Sequence, residues 1–568
     1  MQSTVSVDGG DQIYLSRGIG AESPMRKNGR SASAMLGRVR GIHHRAWLLC
    51  LLSAVLQILI FPLPKLSFLC WLAIAPLLVA MLRARSPELL QLNLEGERLL
   101  PARTLQGFLL GYVSGILWYC GTCYWIFDTM RRYGGVNVAM SAFLLLLFGM
   151  TAGLGHGLFG ACVAKIANSG ANGERWALLL APVFWVFVEL ARTHLLALPW
   201  DLLGTVQVDN IPLSRIATVT GVYGLSFEIV LVNAALATAI LLPRGQRARL
   251  LLVTLGVAAL LQAGRWLPQA ASPADRTAIL VQENLPADGP AWTVEDTERN
   301  LHEFGELSTA PTASGQRAGL VVWPESPAPF VTRDPSLLRS LSNIAQRAQA
   351  WIVVGSTGVE DPMTIGPRRD AVYNSAMLVN PAGDVVARYD KIHLVPFGEY
   401  VPFRQLFSFA EALTKEVGTF EPGTSRQPLK AGDARLGVFI CYESVFPDEV
   451  RQFAANGAQV LVNISNDGWY GDSGAWAQHL QQARMRAVEN NRWLLRDTNT
   501  GKTAVIDPLG RVVASIERKQ RGRLEAPYAL VDETTFYTRH GGWLAYLCAI
   551  ISLVALADTA FPRAAKLS

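Results

Sequence analysis

Charge is scarce in this sequence. Of its 568 residues only 17% are Asp, Glu, Lys or Arg while half are apolar, and a mean hydropathy of +0.24 excludes a wholly soluble chain of this size. The scarcity is uneven. Charge is nearly missing from residues 47–63, 66–82, 105–127, 138–164, 176–198, 216–242, 250–266 and 543–561, each close to the roughly 20 residues needed to cross a bilayer. About eight transmembrane helices are therefore expected. A compact cleavable signal-peptide layout is also lacking. Residues 1–45 are polar, Ser- and Gly-rich and basic, which predicts a disordered cytoplasmic tail and a first span kept as an anchor.

Cysteine is nearly absent from the long stretch between the last two spans. Of seven cysteines, Cys50, Cys70, Cys120, Cys123, Cys162 and Cys548 fall in expected spans, leaving Cys441 by itself in 272–539. That excludes a disulfide framework there. A lone free thiol in an oxidising compartment is a liability, so its presence favours a use. The Cys120-Gly-Thr-Cys123 spacing suits redox chemistry or a metal, but inside a membrane helix it reads as packing, and no metal site or cofactor is expected.

Basic residues orient the spans. Arg38, Arg40, Arg45, Arg83, Arg85, Arg98, Arg103, Lys165, Arg175, Arg244, Arg247, Arg249, Arg563 and Lys566 share one side if eight spans are counted, and that side is the cytoplasm by the positive-inside rule. Lys65, Arg131, Arg132 and Arg215 lie opposite and are outvoted. The net charge of +6 sits at these flanks and gives no reason to expect nucleic acid.

The expected organisation is a tail (1–45), a seven-span bundle (46–270), a soluble domain (272–539) and a last span (541–562). Short apolar runs between Gly, Pro, Asn and Asp turns mark the soluble domain as α/β. Strands are expected at about 277–283, 319–323, 351–355, 373–380, 384–390, 435–441, 458–464 and 502–507, with helices near 294–308, 335–349 and 475–490. Three strand ends carry chemistry. GLVVWPESPAPF puts Glu325 just beyond an apolar strand, YDKIHLVPFGEYVPF places Lys391 before a turn bearing Glu399, and the apolar run of RLGVFICYESVFP ends on Cys441, followed by Tyr442 and Glu443. In layered α/β proteins such ends converge on a shared pocket. A Cys-His pairing through His302, His393, His479 or His540 stays open.

Together with VNISNDGWYG (462–471) and RMRAVENNRWLLRDTNTG (484–501), these motifs resemble, in order, the Glu-Lys-Cys triad of the nitrilase superfamily. Joined to membrane spans, they resemble the bacterial apolipoprotein N-acyltransferase family over residues 46–561. Asp497 and Pro327 depart from the family pattern. The resemblance implies a polytopic α-helical membrane protein with a periplasmic nitrilase-like αββα sandwich, in the inner membrane. It implies Cys441 as nucleophile, Glu325 as base, and Lys391 with the Tyr442 N–H as oxyanion donors. Glu399 and Glu443 would orient Lys391. Trp292 and Asn374 also match family positions, Asn374 being read as a turn residue.

The donor implied is a phospholipid, phosphatidylethanolamine expected, and the acceptor a diacylglyceryl apolipoprotein. The segment FRQLFSFAEAL (403–413), with Phe403, Leu406, Phe407 and Phe409, reads as an apolar substrate entrance. Glu189 and Arg192, three apart on one helical face, are expected to pair. A membrane-anchored amidase using water as acceptor, or a binding domain on a transporter, are the rival functions.

Overall fold

A computed structural model of the chain describes residues 41–61, 64–86, 99–267, 273–286, 293–313, 315, 317–360, 371–400 and 420–559. Helices stand at each expected span. Val138–Ala167, Gly173–Leu195 and Val222–Leu241 are long and apolar enough to cross a membrane, and His44–Leu59, Leu66–Leu82 and Trp543–Asp558 are shorter apolar helices. Thr104–Thr122 and Arg244–Leu261 occupy the third and seventh positions.

Several helices at the expected spans are less regular than their hydropathy suggests. The third gives way at Cys123 to a separate helix, Trp125–Arg132, and the sixth is interrupted at Gly221, whose φ of 66° lies in the left-handed region. Hydropathy cannot report such breaks, because an apolar residue suits a bent segment as well as a straight one. Helices Thr104–Thr122 and Val138–Ala167 pack through small residues: a Cβ on Gly111 would lie 2.1 Å from the His156 carbonyl oxygen. Backbones approach this closely only where side chains are missing, the usual means of association where lipid removes the hydrophobic drive.

The expected Glu189–Arg192 pair does not form. Glu189 Oε1 accepts from the Trp185 indole (3.1 Å) and the Leu203 N–H (2.8 Å), and Arg192 donates to the Trp200 carbonyl (2.8 Å) with its guanidinium over the Tyr119 ring. Both side chains find closer neutral partners in the loop after their helix. Shared helical face alone cannot foresee this.

The α/β region holds twelve strands among the described residues, in two six-stranded sheets. They are β1 (Arg276–Gln282), β2 (Leu320–Val322), β3 (Trp351–Val359), β4 (Val372–Val379), β5 (Val385–Asp390), β6 (Leu429–Ala431), β7 (Ala434–Ile440), β8 (Val460–Ser465), β9 (Leu494–Thr498), β10 (Thr503–Ile506), β11 (Val512–Ile516) and β12 (Gly522–Tyr528). The orders are β12-β1-β2-β3-β4-β5 and β11-β10-β9-β8-β7-β6. Each sheet has a parallel centre, β1-β2-β3 or β7-β8-β9, with antiparallel flanks. Strands β6, β9, β11 and β12 were not expected from the sequence; β9 carries Arg496 and Asp497, which mask its apolar pattern.

Strand alternation builds the layers. Ala278, Leu280, Val322, Val353 and Leu378 face Leu436, Val438, Ile440 and Val462 of the other sheet, while Ile279, Val281, Val321, Ile352 and Val354 pack on helices Val294–Thr309 and Pro335–Ala348. Helices Pro447–Ala455 and Ala475–Asn490 cover the second sheet through Val450, Phe453, Ala483 and Ala487. Both faces of each central strand are dry, as parallel strands require. The result is an αββα sandwich, in which each fully buried large side chain contributes about 1.5–3 kcal/mol.

Candidate active site

Three strand ends meet between the sheets. The chain leaves β2 through Trp323, whose N–H bonds the Val353 carbonyl (2.8 Å), and then turns at Pro324-Glu325-Ser326. This turn lies against Gly355 of β3, where a Cβ would fall 2.1 Å from the Pro324 oxygen. Any side chain there would push Glu325 away. Its Oε2 accepts the Asn466 N–H from the end of β8 (2.8 Å), so the carboxylate joins the two sheets.

Lys391 follows β5, its N–H bonding the Asn374 carbonyl (2.8 Å). Its ammonium, 1% exposed, lies 3.2 Å from Glu325 Oε1 and 3.0 Å from Glu399 Oε1. The Asn374 amide donates to both carboxylates, at 2.8 and 2.6 Å, and the Val395 N–H donates to Glu399 Oε2 at 2.7 Å. Burial by itself would discharge Lys391; the carboxylates of Glu325 and Glu399 outweigh it, so the group is held above the usual lysine range and stays charged. Asn374 is thus a strand residue, paired with Thr357 in β3–β4, and not the turn residue expected. Its amide separates two carboxylates that would otherwise repel.

The thiol comes from the second sheet. Cys441 follows β7 and opens a single 3-10 turn, Cys441–Val445, with φ of 51°. That left-handed value costs a non-glycine residue about 1–2 kcal/mol, so surrounding contacts must impose it. Glu443, fully buried, supplies one set: Oε2 accepts the Ile440 N–H (2.7 Å), and Oε1 accepts Tyr389 Oη (2.8 Å), the Ile392 N–H (2.6 Å) and the His393 N–H (3.1 Å). Glu443 therefore does not touch the Lys391 ammonium. It binds the backbone just past Lys391 to the backbone just before Cys441. Burial pushes its pKa up to about 7.

Burial also raises the Cys441 thiol, and the Glu325 charge adds to this while Lys391 pulls it down. Such a thiol rests protonated and needs a base. Tyr442 turns its ring toward the membrane bundle, stacking on Trp200 at 6.2 Å with Oη 3.4 Å from the Ala197 carbonyl. Asp497 accepts the Val281 N–H (3.1 Å) and Thr503 Oγ1 (3.2 Å), joining the two sheets away from the thiol. Trp292, Phe403, Leu406, Phe407 and Phe409 lie outside the described residues. The sequence reading missed Asn466, although it sits in the quoted NISND segment, and did not separate His479 from three other histidines. Among the described residues no group of His, Cys, Asp and Glu is arranged to hold a metal.

Residues 258–534 match the family described as carbon-nitrogen hydrolase, and residues 53–235 match the apolipoprotein N-acyltransferase N-terminal domain. The apolipoprotein N-acyltransferase of Geobacter metallireducens is 35% identical over 92% of this chain and 96% of its own length. That of Pseudomonas aeruginosa is 32% identical over 85% and 93%. Among solved structures, a mutant of the Nesterenkonia AN1 amidase from the nitrilase superfamily is 21% identical over 48% of this chain and 97% of its own, with a TM-score of 0.34.

Proposed function

Because the chain belongs to the apolipoprotein N-acyltransferase family, we propose that Cys441, Glu325 and Lys391 carry the acyl transfer by which such an enzyme completes lipoprotein maturation. The chain is an acyltransferase of the carbon-nitrogen hydrolase superfamily. The reaction is ping-pong. Glu325 takes the Cys441 proton as sulfur attacks the ester carbonyl of a phospholipid acyl chain. The ester C–O bond breaks, the proton passes to the leaving oxygen, and a lysophospholipid departs, leaving a thioester. The α-amino nitrogen of a diacylglyceryl-cysteine then attacks that thioester, Glu325 receives its proton, the C–S bond breaks and the thiol is restored. Lys391 and the Tyr442 N–H stabilise the oxyanion in both steps.

The observation that carries this reading is one buried cluster in which Glu325 and Lys391 lie 3.2 Å apart and Glu443 ties the backbone after Lys391 to the backbone before Cys441. A thioester is reactive enough to acylate an amine, and a thiolate is the sulfur form that attacks. Glu399 and Asn374 hold the charges in place, and Glu443 fixes the two strand ends. Trp292 belongs with them by its motif.

Phosphatidylethanolamine is the proposed donor. The Lys and Arg distribution supports eight spans with residues 1–45 in the cytoplasm, a bundle over 46–270, and 272–539 on the periplasmic side of the inner membrane before a last span at 541–562. Phe403, Leu406, Phe407 and Phe409 are the proposed contact with the outer leaflet.

The test is incubation of the full chain with acyl-labelled phospholipid. Label on the protein that neutral hydroxylamine removes, and that passes to an added diacylglyceryl peptide, is the expected result. Label lost to water at the same rate with or without the peptide would make the protein a hydrolase and overturn the transfer reading.

A further inference from the structure

One buried imidazole remains without a role in this chemistry. His479, on helix Ala475–Asn490, is 0% exposed, and its Nε2 lies 3.0 Å from the carbonyl oxygen of Cys441. A carbonyl only accepts, so the ring carries hydrogen on Nε2 in either charge state. Its Nδ1 lies 2.9 Å from Asp467 Oδ1 and 3.0 Å from Arg496 Nη2, and Asp467 also accepts from Ser465 Oγ (2.9 Å). Trp200 of the membrane bundle stacks on the ring at 5.8 Å, and Tyr470 meets it edge-on at 5.7 Å. Partners at both nitrogens fix the orientation of the imidazole.

The ring addresses the carbonyl of Cys441, not a proton of the thiol, which sets it apart from a Cys-His catalytic pair. The Cys441 carbonyl and the Tyr442 N–H belong to one planar trans peptide and point opposite ways. Holding the oxygen on one side aims the N–H to the other.

We propose that His479 is a positioning residue: by holding the Cys441 carbonyl it aims the Tyr442 N–H at the developing oxyanion. This rests on the reading of Cys441 as nucleophile. Trp200 makes the aim depend on the docked membrane bundle.

The experiment compares full-length His479→Ala, His479→Gln and Cys441→Ala with the parent protein in two reactions, acylation by labelled phospholipid and alkylation by iodoacetamide. Alkylation forms no oxyanion. His479→Ala is expected to slow single-turnover thioester formation at least tenfold, with KM for phospholipid within twofold, the pH midpoint of the rate unchanged and alkylation within twofold of the parent. Glutamine, whose amide can donate to the same carbonyl, should recover most of the rate. If the alanine variant does not fold, His479→Met, which fills the space without a donor, takes its place. Parental acylation in the donorless variant, equal losses in both reactions, or a shifted pH midpoint would each overturn the proposal. Acylation of Cys441→Ala would overturn the nucleophile reading itself.

Discussion

The two sheets support the proposed catalytic groups in opposite ways. On the first, Glu325 and Lys391 are held mainly by other side chains, Asn374 and Glu399, with the Asn466 N–H on the second oxygen of Glu325, in a cluster where one cation stabilises two carboxylates. On the second, Cys441 is held through its backbone, by Glu443 on the preceding N–H and His479 on the carbonyl. Charges out of water need partners for the charge itself. A neutral thiol needs mainly its direction fixed, and its side chain has the Ser465 hydroxyl as its hydrogen-bond partner. The first arrangement should fail electrostatically when a member is removed, the second geometrically.

Cys441→Ser gives the largest effect and keeps the contrast clean. No charge is lost, so the melting temperature should hold within a few degrees, while hydroxylamine-sensitive label disappears because an alcohol is not ionised by the same base. Retained label would place the nucleophile elsewhere.

Next come Glu325→Gln and Lys391→Ala, each expected to slow thioester formation at least about a hundredfold, roughly 3 kcal/mol. Lys391→Ala should also lower stability by about 3–5 kcal/mol, because two buried carboxylates lose their cation. Denaturant unfolding measures it. A Lys391→Ala protein as stable as Cys441→Ser would dissolve the distinction between the sheets.

A smaller effect is predicted at Glu443. Its pKa rises on folding from an ordinary value near 4.5 to about 7, so the folded state keeps a proton that the unfolded state releases. The stability this provides is fully present below pH 4.5 and is lost as pH rises through 7. Thermal melts at pH 5 and pH 8 should show that decline in the parent and a shallower one in Glu443→Gln. Equal slopes would remove Glu443 from the titration.

The least effect is expected from Asp497→Asn. Burial holds this carboxyl well above its usual range, and an amide of the same shape keeps its oxygen for the Val281 N–H while its NH2 donates to Thr503 Oγ1, whose own hydrogen turns to the Thr498 carbonyl. The change should cost under about 1 kcal/mol, whereas Asp497→Ala strands the Val281 N–H and should cost about 1–3 kcal/mol. A large loss in the Asn variant would mean that the group is ionised.

The α/β sandwich, the helical bundle and three of the strand ends were legible in the sequence. Apolar runs of length 5–8 and about 20 follow from what a strand and a bilayer bury, and Glu325, Lys391 and Cys441 stood out by ending such runs. Asn374 was misplaced in a turn because asparagine alone favours turns, whereas its burial between two carboxylates depends on β5 pairing beside β4. Glu189 and Arg192 shared a face but not a bond, since the loop at 200–203 supplied nearer partners. His479 was one histidine of eight. Which nitrogen meets which carbonyl, and that Trp200 from another part of the chain closes over it, arise only when segments 200, 441, 467, 479 and 496 are folded together. Composition and periodicity record what each residue does to its own element; contacts between residues tens to hundreds of positions apart leave no local mark and are decided by packing.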